Sequence, residues 1–158
     1  MQLTVNISDA KVSSDPSVVL ATYSLGSCIG VTLWDSKIKV GGMLHFQLPT
    51  STIDAQRAQQ NPLMFADTGF AALLEEMIRK GADKKRMKVR MAGAAQMLND
   101  SKIFDIGRRN HAAMRKILWQ HGMFIDAEHV GGSAPRTMYL NVADGSVTLK
   151  MGSETIAI

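Results

Sequence analysis

Three β-rich runs in close succession constrain this chain more than any other feature. Ser17–Ser24 (SVVLATYS), Ile29–Asp35 (IGVTLWD) and Lys39–Leu48 are rich in β-branched and aromatic residues, the types that suit a pleated, half-buried surface. Their connectors, Leu25-Gly26-Ser27 and Ser36-Lys37-Ile38, are short. Strands joined this tightly pair with their sequence neighbours, so an antiparallel meander is expected.

The polar stretch from Pro49 to Pro62 then reads as a long loop. From Met64 the period becomes helical, with Phe65, Leu73, Leu74, Met77 and Ile78 on one face and Gly81 as the stop. Met87–Met91 reads as a strand followed by the small-residue turn Ala92-Gly93-Ala94-Ala95. A second helix is expected from about Gly107 to His121, with Ala112, Ala113, Met114, Ile117 and Leu118 as its apolar face and Gly122 closing it. The tail alternates through Phe124–His129, Met138–Val142 and Val147–Met151, and Asp144-Gly145 between the last two runs is a hairpin signal. The expected class is α+β, strands outnumbering helices, in one domain spanning residues 1–158, a length sufficient to bury a core.

Apolar residues make up 46% of the chain and charged residues 20%, which argues against disorder. No apolar run approaches the roughly 18–20 residues that cross a bilayer, and the start MQLTVNISDAKV lacks signal-peptide architecture. A soluble, cytoplasmic protein without membrane insertion is expected. The net charge of +4 gathers in Arg79-Lys80 and in Lys84-Lys85-Arg86-Met87-Lys88-Val89-Arg90. No aromatic residues interleave with these charges, so a solvated helix end and strand edge is expected rather than a nucleic-acid surface.

There is one cysteine, Cys28, which excludes an internal disulfide and a cysteine-built zinc site. A lone cysteine is often a small buried hydrophobe. As a nucleophile it needs a base, because the thiolate is the attacking form. If the second and third strands pair across residues 36–39, opposed positions sum to about 73–75, which sets Cys28 opposite residue 45, 46 or 47. His45 is the titratable base in that window. The same arithmetic across Ser24–Ser27 puts Thr22 or Tyr23 beside Cys28 or Ile29, so Thr22 could accept a hydrogen bond from the far nitrogen of His45. Gly26 and Ser27 let the backbone turn, and N–H groups there could face an oxyanion. Gly41-Gly42 would allow close approach of backbone or substrate. Equally, the same residues fit a Gly26 that serves the turn alone and a His45 that is an ordinary strand histidine. His111, His121 and His129 have no metal-pair spacing and read as surface or capping residues; no metal is expected.

Thr22-Tyr23-Ser24-Leu25-Gly26-Ser27-Cys28, followed by Gly41-Gly42-Met43-Leu44-His45-Phe46-Gln47-Leu48-Pro49, resembles the chemoreceptor glutamine deamidases, the CheD family. Further likenesses are Phe65-Ala66-Asp67-Thr68, Ala92-Gly93-Ala94-Ala95-Gln96-Met97, Ile106-Gly107-Arg108-Arg109-Asn110, and Gly131-Gly132 through Arg136-Thr137 to Asp144-Gly145. They cover nearly the whole chain. Ala94 stands where the family usually has a second glycine, and Ala134-Pro135 precedes Arg136 where glycine is common.

The resemblance implies packed mixed or antiparallel β-sheets flanked by helices, similar to the cysteine-hydrolase fold of cytotoxic necrotizing factor toxins. It implies Cys28 as nucleophile, His45 as base and Thr22 as the residue orienting the imidazole, converting receptor glutamines to glutamate through a thioester. No cofactor is implied. Implied partners are the helical cytoplasmic bundle of a chemoreceptor and, in some organisms, a CheC-type phosphatase. Two other readings stay open: a deamidase or transglutaminase of another protein, and a docking module for a receptor or phosphatase with little catalysis.

Overall fold

The run Ile29–Asp35 is apolar at nearly every position, which a strand supports only where both of its faces are covered. A computed structural model describes residues 1–96 and 105–158 and shows how this is achieved. Strands β1 (Gln2–Thr4), β2 (Asp9–Ser13), β3 (Val19–Leu25), β4 (Ile29–Asp35), β5 (Val40–Phe46), β6 (Met87–Gly93), β7 (Ala127–Val130), β8 (Arg136–Asn141), β9 (Val147–Met151) and β10 (Glu154–Ala157) form two five-stranded sheets. One runs in the order β1-β3-β8-β9-β10 and the other β2-β5-β4-β6-β7. Both are mixed, since β1–β3 and β6–β7 are parallel pairs and the rest antiparallel. The class is α+β.

The second sheet is the middle layer. Ile29, Val31, Leu33, Leu44, Phe46, Val89 and Met91 pack on Phe70, Leu73 and Met77 of helix α2 (Ala66–Arg79) and on Met114 and Leu118 of helix α3 (Ile106–Gln120). On its other face, Met43 and Ala92 join Leu20, Leu25, Met138, Leu140 and Leu149 of the first sheet. Gly41 and Gly42 belong to this packing. A Cβ on Gly42 would come within 2.9 Å of Leu73, and one on Gly41 within 3.0 Å of Leu140. They admit a helix on one side and a sheet on the other, not a substrate.

The expected meander forms only in part. β4 and β5 do pair as an antiparallel hairpin, but β3 lies in the other sheet, between β1 and β8. The short segment between β3 and β4 thus crosses from one sheet to the other. Pro49–Pro62 is no long loop: it holds two single 3-10 turns, at Ser51–Ile53 and from Pro62, and a short helix α1 (Ala55–Gln60) capped by the Asp54 side chain. Strands β1, β2 and β10 have no counterpart in the sequence reading. The basic run is not a sheet edge either, for β6 lies between β4 and β7 with Met87, Val89 and Met91 buried. Arg86 turns back to pair with Asp35, and Arg90 donates to the Gly145 carbonyl.

Helices α2 and α3 match the expected segments. Ile78 is exposed, however, and α3 buries Gly107, Asn110, Met114 and Leu118 while leaving Ala112 exposed. Met97 of the family-like turn lies outside the described residues.

Candidate active site

Side chains alternate across a strand, so β5 sends Leu44 and Phe46 to the helices and Met43 and His45 toward the first sheet. His45 opposes Gly30, whose missing side chain leaves room between sheets: a Cβ there would meet Met138, Leu25 and Thr22 at 3.0–3.4 Å. Opposed positions in this hairpin sum to 75, for example Ile29 with Phe46. Extended beyond the last rung, that register sets Cys28 against Gln47, with His45 on the diagonal. Cys28 is two positions before Gly30, the partner of His45, so the same register puts both side chains toward the inter-sheet core. Cys28 itself lies outside the strand, half-buried against the inter-sheet core.

Thr22 reaches His45 by a different route from the one expected. The two residues are not ladder neighbours; they meet across the gap between sheets. A break in the β3–β8 register falls between Thr22 and Leu25, with Ser24 in the left-handed region at φ 58°. That bulge turns both Thr22 and Leu25 inward, three positions apart, which a regular strand does not do. Thr22 Oγ1 lies 2.7 Å from His45 Nδ1 and 2.7 Å from the Val5 carbonyl oxygen. Val5 sits where the chain leaves β1 for the other sheet.

These two contacts fix the imidazole tautomer. A threonine hydroxyl has one hydrogen, and a carbonyl can only accept. The hydroxyl therefore donates to Val5, and its oxygen accepts from His45 Nδ1–H. Nε2 is left as the lone-pair nitrogen, which is the form a base requires. Both His45 and Thr22 are fully buried, and among the described residues His45 Nε2 has no hydrogen-bond partner. Burial holds His45 down to about 4 and pushes the Cys28 thiol up to about 11, against a smaller lowering effect of its own backbone N–H. The resting pair is thus a thiol and a neutral imidazole. His45 Nε2 and the Cys28 thiol are not hydrogen-bonded among the described residues, and catalytic contacts of this kind commonly tighten only with substrate bound.

The bend that carries Cys28 is anchored through its carbonyls. Gly26 O accepts from Ala95 N at 2.8 Å, Ser27 O from Asn110 Nδ2 at 2.9 Å and Cys28 O from Ala94 N at 2.9 Å. Gly93, at φ +120°, runs so close that a Cβ would lie 2.2 Å from the Cys28 carbonyl oxygen. Only glycine fits there. Ala94 adopts φ 53°, a left-handed conformation an alanine enters at a cost of about 1 kcal/mol. With alanine at this position the loop still holds its bond to Cys28. Ala134 and Pro135 lie in an exposed loop.

Arg136, buried and opposite Leu25, donates to Gly93 O at 2.7 Å, to His129 Nδ1 at 2.9 Å and to Gly131 O. It braces the glycine that braces the cysteine. Sequence reasoning did not single out Asn110 or Arg136 by function. A signal existed for the first: Asn110, Met114 and Leu118 form one i, i+4, i+8 stripe, and a carboxamide on a buried stripe needs a reason. His111 pairs with Glu128 and His121 lies by Lys84, and among the described residues no cluster of metal-ligating side chains occurs.

The family model for CheD, described as chemotactic sensory transduction, matches residues 47–151. That span takes in Gly93, Asn110 and Arg136 and begins just after His45. Whole-length relatives extend further. A Solibacter usitatus protein is 46% identical over 94% of this chain and 88% of its own, and one from Anaeromyxobacter dehalogenans 44% identical over 96% of each. One from Syntrophus aciditrophicus is 43% identical over 92% of this chain and 91% of its own. Each is named a probable chemoreceptor glutamine deamidase CheD. With a family model matching more than half of its length and relatives above 40% identity along nearly all of it, the chain belongs to the CheD family.

Proposed function

We propose that this protein hydrolyses the side-chain amide of chemoreceptor glutamines to glutamate, with Cys28 as nucleophile, His45 as base and Thr22 as its positioning partner. The observation that carries the reading is the half-satisfied imidazole. Nδ1 is tied to Thr22 while Nε2 is buried without a partner, on the face it shares with the chain's one thiol. A buried unpaired nitrogen is costly, and a proton-transfer role accounts for it.

His45 Nε2 takes the Cys28 proton as sulfur attacks the carboxamide carbon. Backbone N–H groups of the Gly26-Ser27-Cys28 bend hold the resulting oxyanion. The imidazolium then gives its proton to the nitrogen, the C–N bond breaks, and ammonia leaves a thioester. Water, losing a proton to His45, attacks the thioester carbon; the C–S bond breaks and the thiol regains its proton. The product is a receptor carboxylate. A neutral resting pair suits this cycle, because the proton moves only when substrate is present.

The receptor surface would be a helical cytoplasmic bundle, the site of action the cytoplasm, and a CheC-type phosphatase a regulatory partner. No helix among the described residues is long and apolar enough to cross a membrane. Mass spectrometry of a purified receptor cytoplasmic fragment tests the reading. Each glutamine converted adds about one dalton by amide-to-acid arithmetic; transfer to an amine would add that amine's mass instead. Conversion that persists in Cys28→Ala removes the mechanism, and binding with no mass change favours a docking module.

A further inference from the structure

β4 and β5 exchange their last pair at Ile29 and Phe46. Just beyond, the carbonyls of Gln47, one residue past Phe46, and Ser27, two before Ile29, converge on a single point, where they cannot bond each other. They need a donor with two hydrogens. Asn110 Nδ2 supplies it, 2.9 Å from Ser27 O and 2.9 Å from Gln47 O. Asn110 is fully buried on the inner stripe of α3. Among uncharged side chains only a primary carboxamide offers two hydrogens from one nitrogen, and a lysine would bring a charge into a dry site. The other end of the group is not accommodated: Oδ1 has no partner among the described residues. The NH2 is kept at the expense of the carbonyl.

Of the carbonyls in the Gly26-Ser27-Cys28 bend, the other two are held by backbone amides of the segment after β6. Ser27 alone depends on a side chain, and its peptide unit is the one that contains the Cys28 N–H. In a trans peptide the C=O and the following N–H point in opposite directions, and no cis bond occurs in the described chain. Drawing Ser27 C=O toward α3 therefore turns the Cys28 N–H away from α3.

We propose that Asn110 is a positioning residue for the reaction: by clamping Ser27 C=O to Gln47 C=O it aims the Cys28 backbone N–H at the developing oxyanion. The Cys28 N–H belongs to the same residue as the attacking sulfur, which keeps it close to the carbon under attack. The clamp also ties the nucleophile's bend to the strand end that follows His45. This inference rests on the deamidase reading above.

The test compares wild type, Asn110→Ala and Asn110→Ser in two assays. One is deamidation of a purified receptor cytoplasmic fragment; the other is alkylation of Cys28 by iodoacetamide, which needs the sulfur but no oxyanion donor. We expect kcat to fall about tenfold to a hundredfold, with KM and the alkylation rate within about twofold of wild type. An unchanged kcat in a folded variant overturns the proposal. So does a parallel loss of kcat and alkylation, which would make Asn110 a general prop of the bend.

If neither variant folds, the wild-type protein decides by NMR. The Asn110 carboxamide protons should exchange slowly with solvent. The Cys28 amide proton should shift downfield when a peptide carrying glutamate γ-semialdehyde adds to the thiol as a thiohemiacetal. Fast carboxamide exchange or an unmoved Cys28 amide overturns the clamp. Wild type that leaves every glutamine intact rejects the deamidase reading, and the two NMR measurements then judge the clamp separately.

Discussion

Asp35 and His45 are both buried, both ionisable, and both sit in the β4–β5 hairpin, yet the fold treats them oppositely. Burial alone would raise Asp35, but Arg86 grips both of its oxygens at 2.9–3.2 Å and the N–H groups of Asp83, Lys37 and Ile38 take what remains. Its carboxylate is held below the usual range and does nothing but join the end of the hairpin to the segment before β6. His45 has one nitrogen satisfied and the other bare, and burial, unopposed, drives it down to about 4. A buried polar group with every bond made belongs to the architecture; one left half made needs an explanation, which the proposed proton transfer supplies.

Substitutions can break this contrast. Cys28→Ser should lower kcat by at least about a thousandfold while leaving the thermal midpoint within about two degrees of wild type. Receptor deamidation and calorimetry on one preparation read both quantities. Asp35→Ala should do the reverse. Loss of one partner of a buried pair leaves unpaired donors and costs about 3 kcal/mol, measurable by urea unfolding, with kcat/KM changed less than about threefold where the protein is folded. A large activity loss in Asp35→Ala would mean that both ends of the hairpin serve catalysis.

Thr22→Val keeps the shape and removes the hydroxyl that sets the tautomer. Its kcat should fall about tenfold to a hundredfold, with alkylation of Cys28 by iodoacetamide slowed as well, because the thiol gives its proton to the same imidazole. Equal deamidation rates would show that the tautomer is fixed by something other than Thr22.

The smallest effect distinguishes the two groups by pH. His45 is lowered on folding from 6.5 to about 4, so the unfolded chain takes up its proton first as pH falls. The stability that neutral His45 permits is complete above pH 6.5 and is lost on the way down to about 4, by about 1 kcal/mol per pH unit. Asp35, lowered from 3.8, gives up its contribution only below that value. Urea melts between pH 4 and 7 should therefore show a steeper acid-side loss in wild type than in His45→Gln, where His121, also lowered by burial, still titrates. Identical slopes in the two proteins would mean that the imidazole is not the group being titrated.

Much of the site was legible in sequence because it depends on local register. The hairpin joining β4 to β5 needs only its short turn and its alternation, so the pairing of the Cys28 and His45 segments followed from counting. The helices were legible from their periodicity. Strand counting gives Thr22 the right neighbour and the wrong geometry, because a bulge at Ser24 and a change of sheet do not register in a pattern of apolar residues. Strands β1, β2 and β10 were illegible because edge strands bury little and so carry weak patterns.

By itself the sequence determined the α+β class, the β4–β5 hairpin with its register to within two residues, and the closeness of the Cys28 and His45 segments on which the proposed chemistry rests. Those are consequences of period, turn length and residue chemistry, all of which act over a few residues. Only the tertiary structure decided which imidazole nitrogen stays bare, that Val5 takes the Thr22 hydrogen, and that Asn110 closes the gap between Ser27 and Gln47. Each of those depends on burial and on partners 17 to 83 residues apart. Hydrogen bonds over such separations exist only once two sheets and a helix have packed.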